Sequence, residues 1–373
     1  MYKVRQRFAA TKLDDVLRAV RAELLPFPIE AGKRIAIAVG SRGIANLTVV
    51  VREVVAWVRE HDAEPFIVPA MGSHGGAIAQ GQRKILEGFG LTDIVSCMDT
   101  VQLGPNVFID RLAFESDGII LINRIKPHTS FHGRYESGLM KMLAVGLSKH
   151  AGAAAIHRQG VEGLRERIPI VARQILATGK ILLGVAIVEN AYDETMLVRA
   201  IVASRIPDEE PPLLELARAN MPSLPVEDID LLIVDEMGKD ISGTGMDTNV
   251  IGHLRIAGQP EPASPRIRRI FVRDLRGDSA YGIGLADVTT RRLVKKADWK
   301  VTQVNAETSG FPLRVKLPAV VERDEDAVTG ERIVRIENTL RLDTLIVSKS
   351  VLTEIQGRET IEVLGPAGIW DVM

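Results

Sequence analysis

Nearly continuous apolar runs that alternate with longer helical patterns constrain this chain more than any other feature. "KRIAIAVG", "EPFIVPAMG", "DGIILINRI", "KILLGVAIVEN" and "DLLIVDEMG" are short, rich in β-branched residues and bounded by glycine or polar residues. A strand with no polar alternation must be covered on both faces, which is the condition of a parallel sheet between helices. "NLTVVVREVVAWVREHDA", "IAQGQRKILEGFG" and "AAAIHRQGVEGLRERIPIVARQILATG" supply helices between those strands. The expected class is therefore α/β, with largely parallel sheets. A chain of 373 residues is long for one core, and length alone suggests about two domains. The proline-rich passage "RIPDEEPPLLELARANMPSLPVEDID", residues 205–230, reads as a linker with one short helix. The boundary falls near residue 225, giving an N-terminal domain over 1–225 and a second α/β domain over 226–373.

Composition removes several function classes. The net charge of -1 gives no basic face for nucleic acid or an anionic membrane, and 4% aromatic residues are too few for base-stacking platforms. No run approaches the roughly 20 apolar residues of a membrane span, and the N-terminus lacks the apolar region of a signal peptide. A cytoplasmic protein is expected. Cys97 is the one cysteine, so neither a disulfide within the chain nor a thiolate metal cage can form. It reads as a small buried residue.

In parallel sheets, ligand chemistry collects on the loops past the strand carboxyl ends. "VGSRGIAN", "MGSHGGAI", "RIKPHTSFHG" and "DEMGKDISGTGMD" follow that rule and offer Arg42, His74, His128 with His132, and Lys239. The stretch 125–157 holds four of the seven histidines and two isolated lysines, Lys141 and Lys149. Neither a Rossmann glycine pattern nor a P-loop is present, so standard dinucleotide binding is not expected. Each candidate has an ordinary alternative. Arg42 is an anion clamp or a solvated loop charge, and His74 a presented ring or a loop histidine bonded to backbone. Lys141, among Met, Leu and Val, either snorkels or is desolvated for covalent chemistry. His128 and His132 could form a zinc pair on a helix, though Pro127 makes a helix there doubtful. Trp299 is half-buried packing or a cofactor face.

Taken together, "GSHGG", "KPHTSFHGRYESGLMK" and His157, sixteen residues after Lys141, resemble the nickel-dependent lactate racemase family. The similarity is clearest from Arg42 to His157. The resemblance implies a racemase or epimerase of 2-hydroxy acids, with the active site in the cleft between two domains. It implies a nickel-pincer nucleotide covalently joined to Lys141, with His157 on the nickel. His74 and His128 would be the acid–base pair. Arg42 and Lys239 would hold a carboxylate or phosphate, and Trp299 would pack on the cofactor. The substrate would be a small 2-hydroxy acid, and cofactor-biosynthesis proteins would be the partners that load the site. Two departures matter. Val39 stands where the family has an acidic residue, and extra residues including His132 separate His128 from Lys141, leaving open which histidine is the second base. Two further readings are a zinc-dependent hydrolase or lyase using His128, His132 and His74, and a non-catalytic carboxylate- or nucleotide-binding protein.

Overall fold

The computed structural model describes residues 1–40 and 43–373. They form two compact units, one of Ala10–Met221 and one of Met1–Ala9 with Pro222–Met373. The chain opens with strand β1 (Tyr2–Gln6). The first nine residues, expected with the N-terminal part, thus pack in the C-terminal unit.

The larger unit begins with α1 (Val16–Leu24), β2 (Arg34–Val39), α2 (Leu47–Glu60), β3 (Glu64–Pro69) and α3 (Ala79–Gly88). A hairpin of β4 (Thr100–Gly104) and β5 (Val107–Asp110) and the short α4 (Arg111–Phe114) lead to β6 (Gly118–Arg124). Next come α5 (Leu139–Lys141), α6 (Lys149–His157) and α7 (Gly160–Leu176), and then β7 (Ile181–Glu189), β8 (Thr195–Val202) and α8 (Ile206–Ala219). The sheet order is β3-β2-β6-β7-β8. The first four strands are parallel and β8 runs antiparallel to β7. Ile35 to Val39 and Ile119 to Ile122 are buried throughout, as runs without polar alternation require. In α2 the buried Val50, Val51, Val54, Trp57 and Val58 form one helical stripe against the sheet.

Two expectations are corrected here. "AAAIHRQGVEG…ATG" is not one helix but α6 and α7, between which the backbone turns at Gly160 with φ +64°. The passage 205–230 is mostly not a linker, because residues 206–219 form the fourteen-residue helix α8. Its buried residues Ile206, Glu210, Leu214 and Ala217 recur at helical spacing. That buried stripe outweighs the amide hydrogen bonds lost at Pro211 and Pro212.

The C-terminal unit continues with β9 (Asp228–Ile229), β10 (Leu231–Gly238), α9 (Thr248–Ile251), β11 (Arg266–Ile267) and β12 (Ile270–Arg276). After these come β13 (Val288–Thr290), α10 (Arg291–Lys296), α11 (Trp299–Ser309) and β14 (Ala319–Val321). The chain closes with β15 (Ile333–Ile336), β16 (Thr344–Val347), α12 (Lys349–Ile355) and β17 (Ile361–Pro366). Its eight-stranded sheet has the order β14-β13-β12-β10-β15-β16-β1-β17. The five strands from β14 to β15 are parallel, and β16, β1 and β17 are antiparallel. The protein is α/β. Among the described residues no helix is long and apolar enough to cross a membrane.

Because β1 lies between β16 and β17, Val4 is fully buried in this second core. Val4→Asp places an unpaired charge there and is expected to cost about 3–5 kcal/mol. Hydrogen exchange should show β10 and β12 losing protection while β2 and β6 keep theirs; equal loss in both sheets would contradict the division.

Candidate active site

In the larger unit the chain steps from β2 outward to β3, then returns to the other side of β2 as β6. Strand order therefore reverses at β2, and the space beyond the carboxyl ends of β3, β2 and β6 is where such sheets bind ligands. The loop after β3 carries His74 and the loop after β6 carries His128 and His132. The loop after β2 carries Arg42, which lies outside the described residues.

The His74 loop is built on glycines. Gly72 has φ +60° and donates its amide to Gly146 O at 3.0 Å; an added Cβ would lie 3.1 Å from Val145 O. Gly75 has φ +66°, and a Cβ there would sit 2.5 Å from the Gln82 amide nitrogen. Only glycine accepts both the left-handed backbone and the close approach. His74 is half-buried, and its amide bonds to Met71 O at 3.1 Å.

Opposite this loop runs the segment holding Lys141 and His157. It starts at α5, passes through a π-helical turn, Met142–Gly146, and after a break at residues 147–149 resumes as α6. π turns inside helices occur frequently at functional sites. A Cβ at Gly146 would lie 2.6 Å from Ala70 O, so the π turn and the end of β3 meet backbone to backbone. Lys141 is half-buried, which excludes neither of its sequence alternatives. His157, at the end of α6, is pushed down to about 4 by burial and then by the Lys141 charge. Its ring is neutral at pH 7 and able to bind a metal.

Residues 125–138 form an irregular loop, so His128 and His132 do not share a helix face. One buried carboxylate organises them. Glu136 accepts from the amides of His128 at 2.6 Å and Gly133 at 3.1 Å, and from Arg218 Nη2 of α8 at 2.9 Å. His132 Nδ1 lies 3.3 Å from both of its oxygens. Burial pushes the Glu136 pKa up, but the bonds from His132, the His128 amide and Arg218 outweigh it and hold the group below the usual carboxylate range. The two rings consequently differ in proton inventory. His128 Nδ1 accepts the Ser130 amide at 3.0 Å, so the neutral ring carries its proton on Nε2 and is a donor there. His132 turns Nδ1 to Glu136, which only accepts, so that nitrogen carries a proton; in the neutral form of the ring Nε2 is then the acceptor.

A second buried carboxyl underlies Lys141. Glu210 of α8 accepts the Met140 amide at 2.8 Å, and its Oε1 has no hydrogen-bond partner among the described residues. A Cβ on Gly138 would fall 2.3 Å from that oxygen. Burial raises Glu210 to about 8 against the pull of the Met140 and Leu139 amides, so the group is largely protonated at neutral pH. Helix α8 also receives the Tyr135 hydroxyl on Pro207 O at 2.8 Å. The helix thus fastens the loop and the Lys141 turn together.

In the other unit, Lys239 follows β10. Its Nζ hydrogen-bonds Asn305 Oδ1 of α11 and lies 5.4 Å from the Tyr281 ring centre. Asn305 is in turn held by Ser279 Oγ at 3.0 Å. Trp299 opens α11 and is 39% exposed, with its indole N–H on Val294 O at 3.3 Å, which is compatible with both of its sequence alternatives. Cys97 is half-buried rather than buried, with its thiol pushed up by burial. Among the described residues no group of three or more His, Cys, Asp or Glu is set for a metal, so the alternative zinc reading on His74, His128 and His132 gains no support.

Glu136, Glu210, Arg218 and Asn305 were not anticipated from sequence. The signal for Glu210 was its place in the apolar stripe of α8. Glu136 follows His132 by four residues, a spacing that reads as a pair only once the loop's shape is known.

No protein-family model matches the chain, and no curated protein matches it. Among solved structures, the lactate racemase apoprotein from Thermoanaerobacterium thermosaccharolyticum is similar, with a TM-score of 0.47 and 14% identity. The match covers 73% of this chain and 74% of that one. At that similarity neither family nor activity is transferred.

Glu210 supplies a pH test. Its carboxyl is protonated in the folded state up to about 8 and ionises near 4.5 when unfolded. The native state binds more protons across that window, so this group's contribution to stability falls as pH rises from 4.5 to 8. Glu210→Gln should remove that fall, giving a flatter urea-midpoint profile and a variant more stable than wild type at pH 8. Parallel profiles for the two proteins would contradict a protonated Glu210.

Proposed function

We propose that the chain is a racemase or epimerase that inverts C2 of a small 2-hydroxy acid with a nickel-pincer nucleotide joined to Lys141. The reading is supported by a half-buried Lys141 whose charge acts on His157, in a segment whose backbone meets the His74 loop where the Gly72 amide donates to Gly146 O. The donor set fits the group. Nickel favours imidazole and soft sulfur, and a metal that brings its own sulfur donors needs from the protein a neutral ring and an attachment point. His157 would be the metal ligand and Lys141 the anchor. When bound, the group supplies a carbon that takes hydride from C2 of the substrate and returns it.

The chain's own residues then have definable work. The C2 proton of a 2-hydroxy acid is very weakly acidic, so loss of hydride must be matched by a base removing the hydroxyl proton. Inversion needs such a base on each face, and histidine is the side chain suited to that at neutral pH. His74 serves one face. For the other face the motif points to His128, whereas the hydrogen bonds favour His132, whose Nε2 can accept. Arg42 and Lys239 would hold the substrate carboxylate or a cofactor phosphate, and Trp299 would pack on the cofactor ring. Loading would require cofactor-biosynthesis proteins as partners.

The test uses protein produced alongside a cofactor-making pathway and single enantiomers of lactate and longer 2-hydroxy acids in heavy water. The inverted product should keep its original hydrogen at C2, because hydride transfer never exposes that hydrogen to solvent; deuterium at C2 would overturn the scheme. Loss of the second base should reduce turnover by about 10²- to 10⁴-fold. The expected loser is His132→Ala. Full activity in that variant with loss in His128→Ala would assign the base to His128.

A further inference from the structure

Lys149 is the isolated lysine that the proposed function leaves unused. It has no solvent exposure, begins α6 and has a φ of +54°, a backbone state uncommon for a side chain of its size. Its Nζ reaches three separate elements. It lies 2.6 Å from the carbonyl of Pro69 at the end of β3 and 3.2 Å from Gln82 Oε1 in α3. It lies 2.9 Å from Asp110 Oδ2 at the end of β5, an ionic contact off the hydrogen-bond direction. Asp110 is itself fully buried and uses Oδ1 to cap α4 through the Ala113 amide at 2.9 Å. Gln82, also without exposure, turns its Nε2 the other way, to Gly72 O at 2.7 Å and His74 O at 3.3 Å.

We propose that Lys149, Asp110 and Gln82 are positioning residues, a buried polar lock fixing the His74 loop against the segment that carries Lys141 and His157. This rests on the reading of His74 as an acid–base group. A buried ion pair is a poor source of stability, since apolar side chains of equal volume often serve as well. What it supplies is direction. Lys149 fixes the Gln82 amide from one side, and with its oxygen engaged there, the Gln82 NH₂ can only face the two loop carbonyls. Register between the loop and α6 is then set by donors and acceptors that each fit one arrangement. A catalytic ring displaced by about 1 Å can lose 10²-fold in rate, so such a lock matters to turnover more than to folding.

Lys149→Met leaves Asp110 buried without its partner and could fail to fold, so the principal variant is Gln82→Met. It keeps the Asp110–Lys149 contact and the core volume while removing both bonds to the loop. The double variant Asp110→Asn/Lys149→Met tests the other half without a stranded charge. The probes are His74 and His157 ring signals through an NMR titration of the apoprotein, and amide exchange at Gly72 and Gly75. In Gln82→Met the His74 signals and titration midpoint should move and the loop amides should exchange about tenfold faster or more, with the His157 signals unchanged. In loaded enzyme kcat should fall roughly 10- to 100-fold with KM unchanged. Unaltered His74 signals and loop exchange, with only a lower melting temperature, would overturn the lock and make the cluster a core filler. The apoprotein measurements need neither substrate nor cofactor, so they decide the lock; failure of loaded wild type to turn over any 2-hydroxy acid would sink the functional reading separately.

Discussion

A lysine amine with no solvent contact needs other groups in place of water, and the larger unit supplies them to one lysine from three separate elements. Lys149 meets the Pro69 carbonyl, the Gln82 amide and the Asp110 carboxylate, each within 3.2 Å. Removing one partner of such a pair typically costs ~3–5 kcal/mol, because the other is left buried and unpaired. The end of β3, the start of α6 and the hairpin strand β5 therefore cannot separate without stranding a charge. Around this contact the glycines do the rest, with Gly72 and Gly146 letting two backbones touch where any side chain would intervene. The candidate site is the surface of that junction.

The second support comes from the far end of the unit. Helix α8 presents Glu210 beneath the Lys141 turn and Arg218 to Glu136, so the loop with His128 and His132 and the turn with Lys141 hang on one helix. Both carboxyls are buried, yet they face opposite demands. Glu136 gathers cationic and N–H donors and stays ionised; Glu210 has two backbone amides and is pushed toward its neutral form. The contrast follows from what surrounds each one. A carboxylate that orients His132 must carry charge, whereas one that only closes a helical turn need not.

Much of this was legible in the chain. Five apolar runs without alternation became parallel strands, and the loops after them carried the residues that strand-end placement had selected. What escaped was information that no local pattern holds. The density of proline at 207, 211 and 212 suggested a linker, but Pro207 sits in the first turn, where proline is tolerated, and burial of Ile206, Glu210, Leu214 and Ala217 outweighs the bonds lost at the other two. β1 gave no sign of its destination, since pairing with β16 and β17 depends on residues about 340 to 360 positions away. The opposite hydrogen-bond roles of Nδ1 in His128 and His132 depend on a backbone amide at 130 and a carboxylate at 136, and on a loop conformation that spacing cannot specify. Lys149 stood out as an isolated lysine, but its partners lie 39, 67 and 80 residues away by number, so only the fold could name them.

The central claim is that Lys141 anchors a metal-bearing group whose metal takes one further donor, His157. Intact-mass analysis and peptide mapping of protein purified from a host that makes the nickel-pincer nucleotide test it most directly. The account predicts an adduct of several hundred daltons on the peptide containing Lys141, absent from Lys141→Ala and retained in His157→Ala, which should lose nickel alone. An adduct that survives in Lys141→Ala, or its absence from fully supplied wild-type protein, would contradict the account.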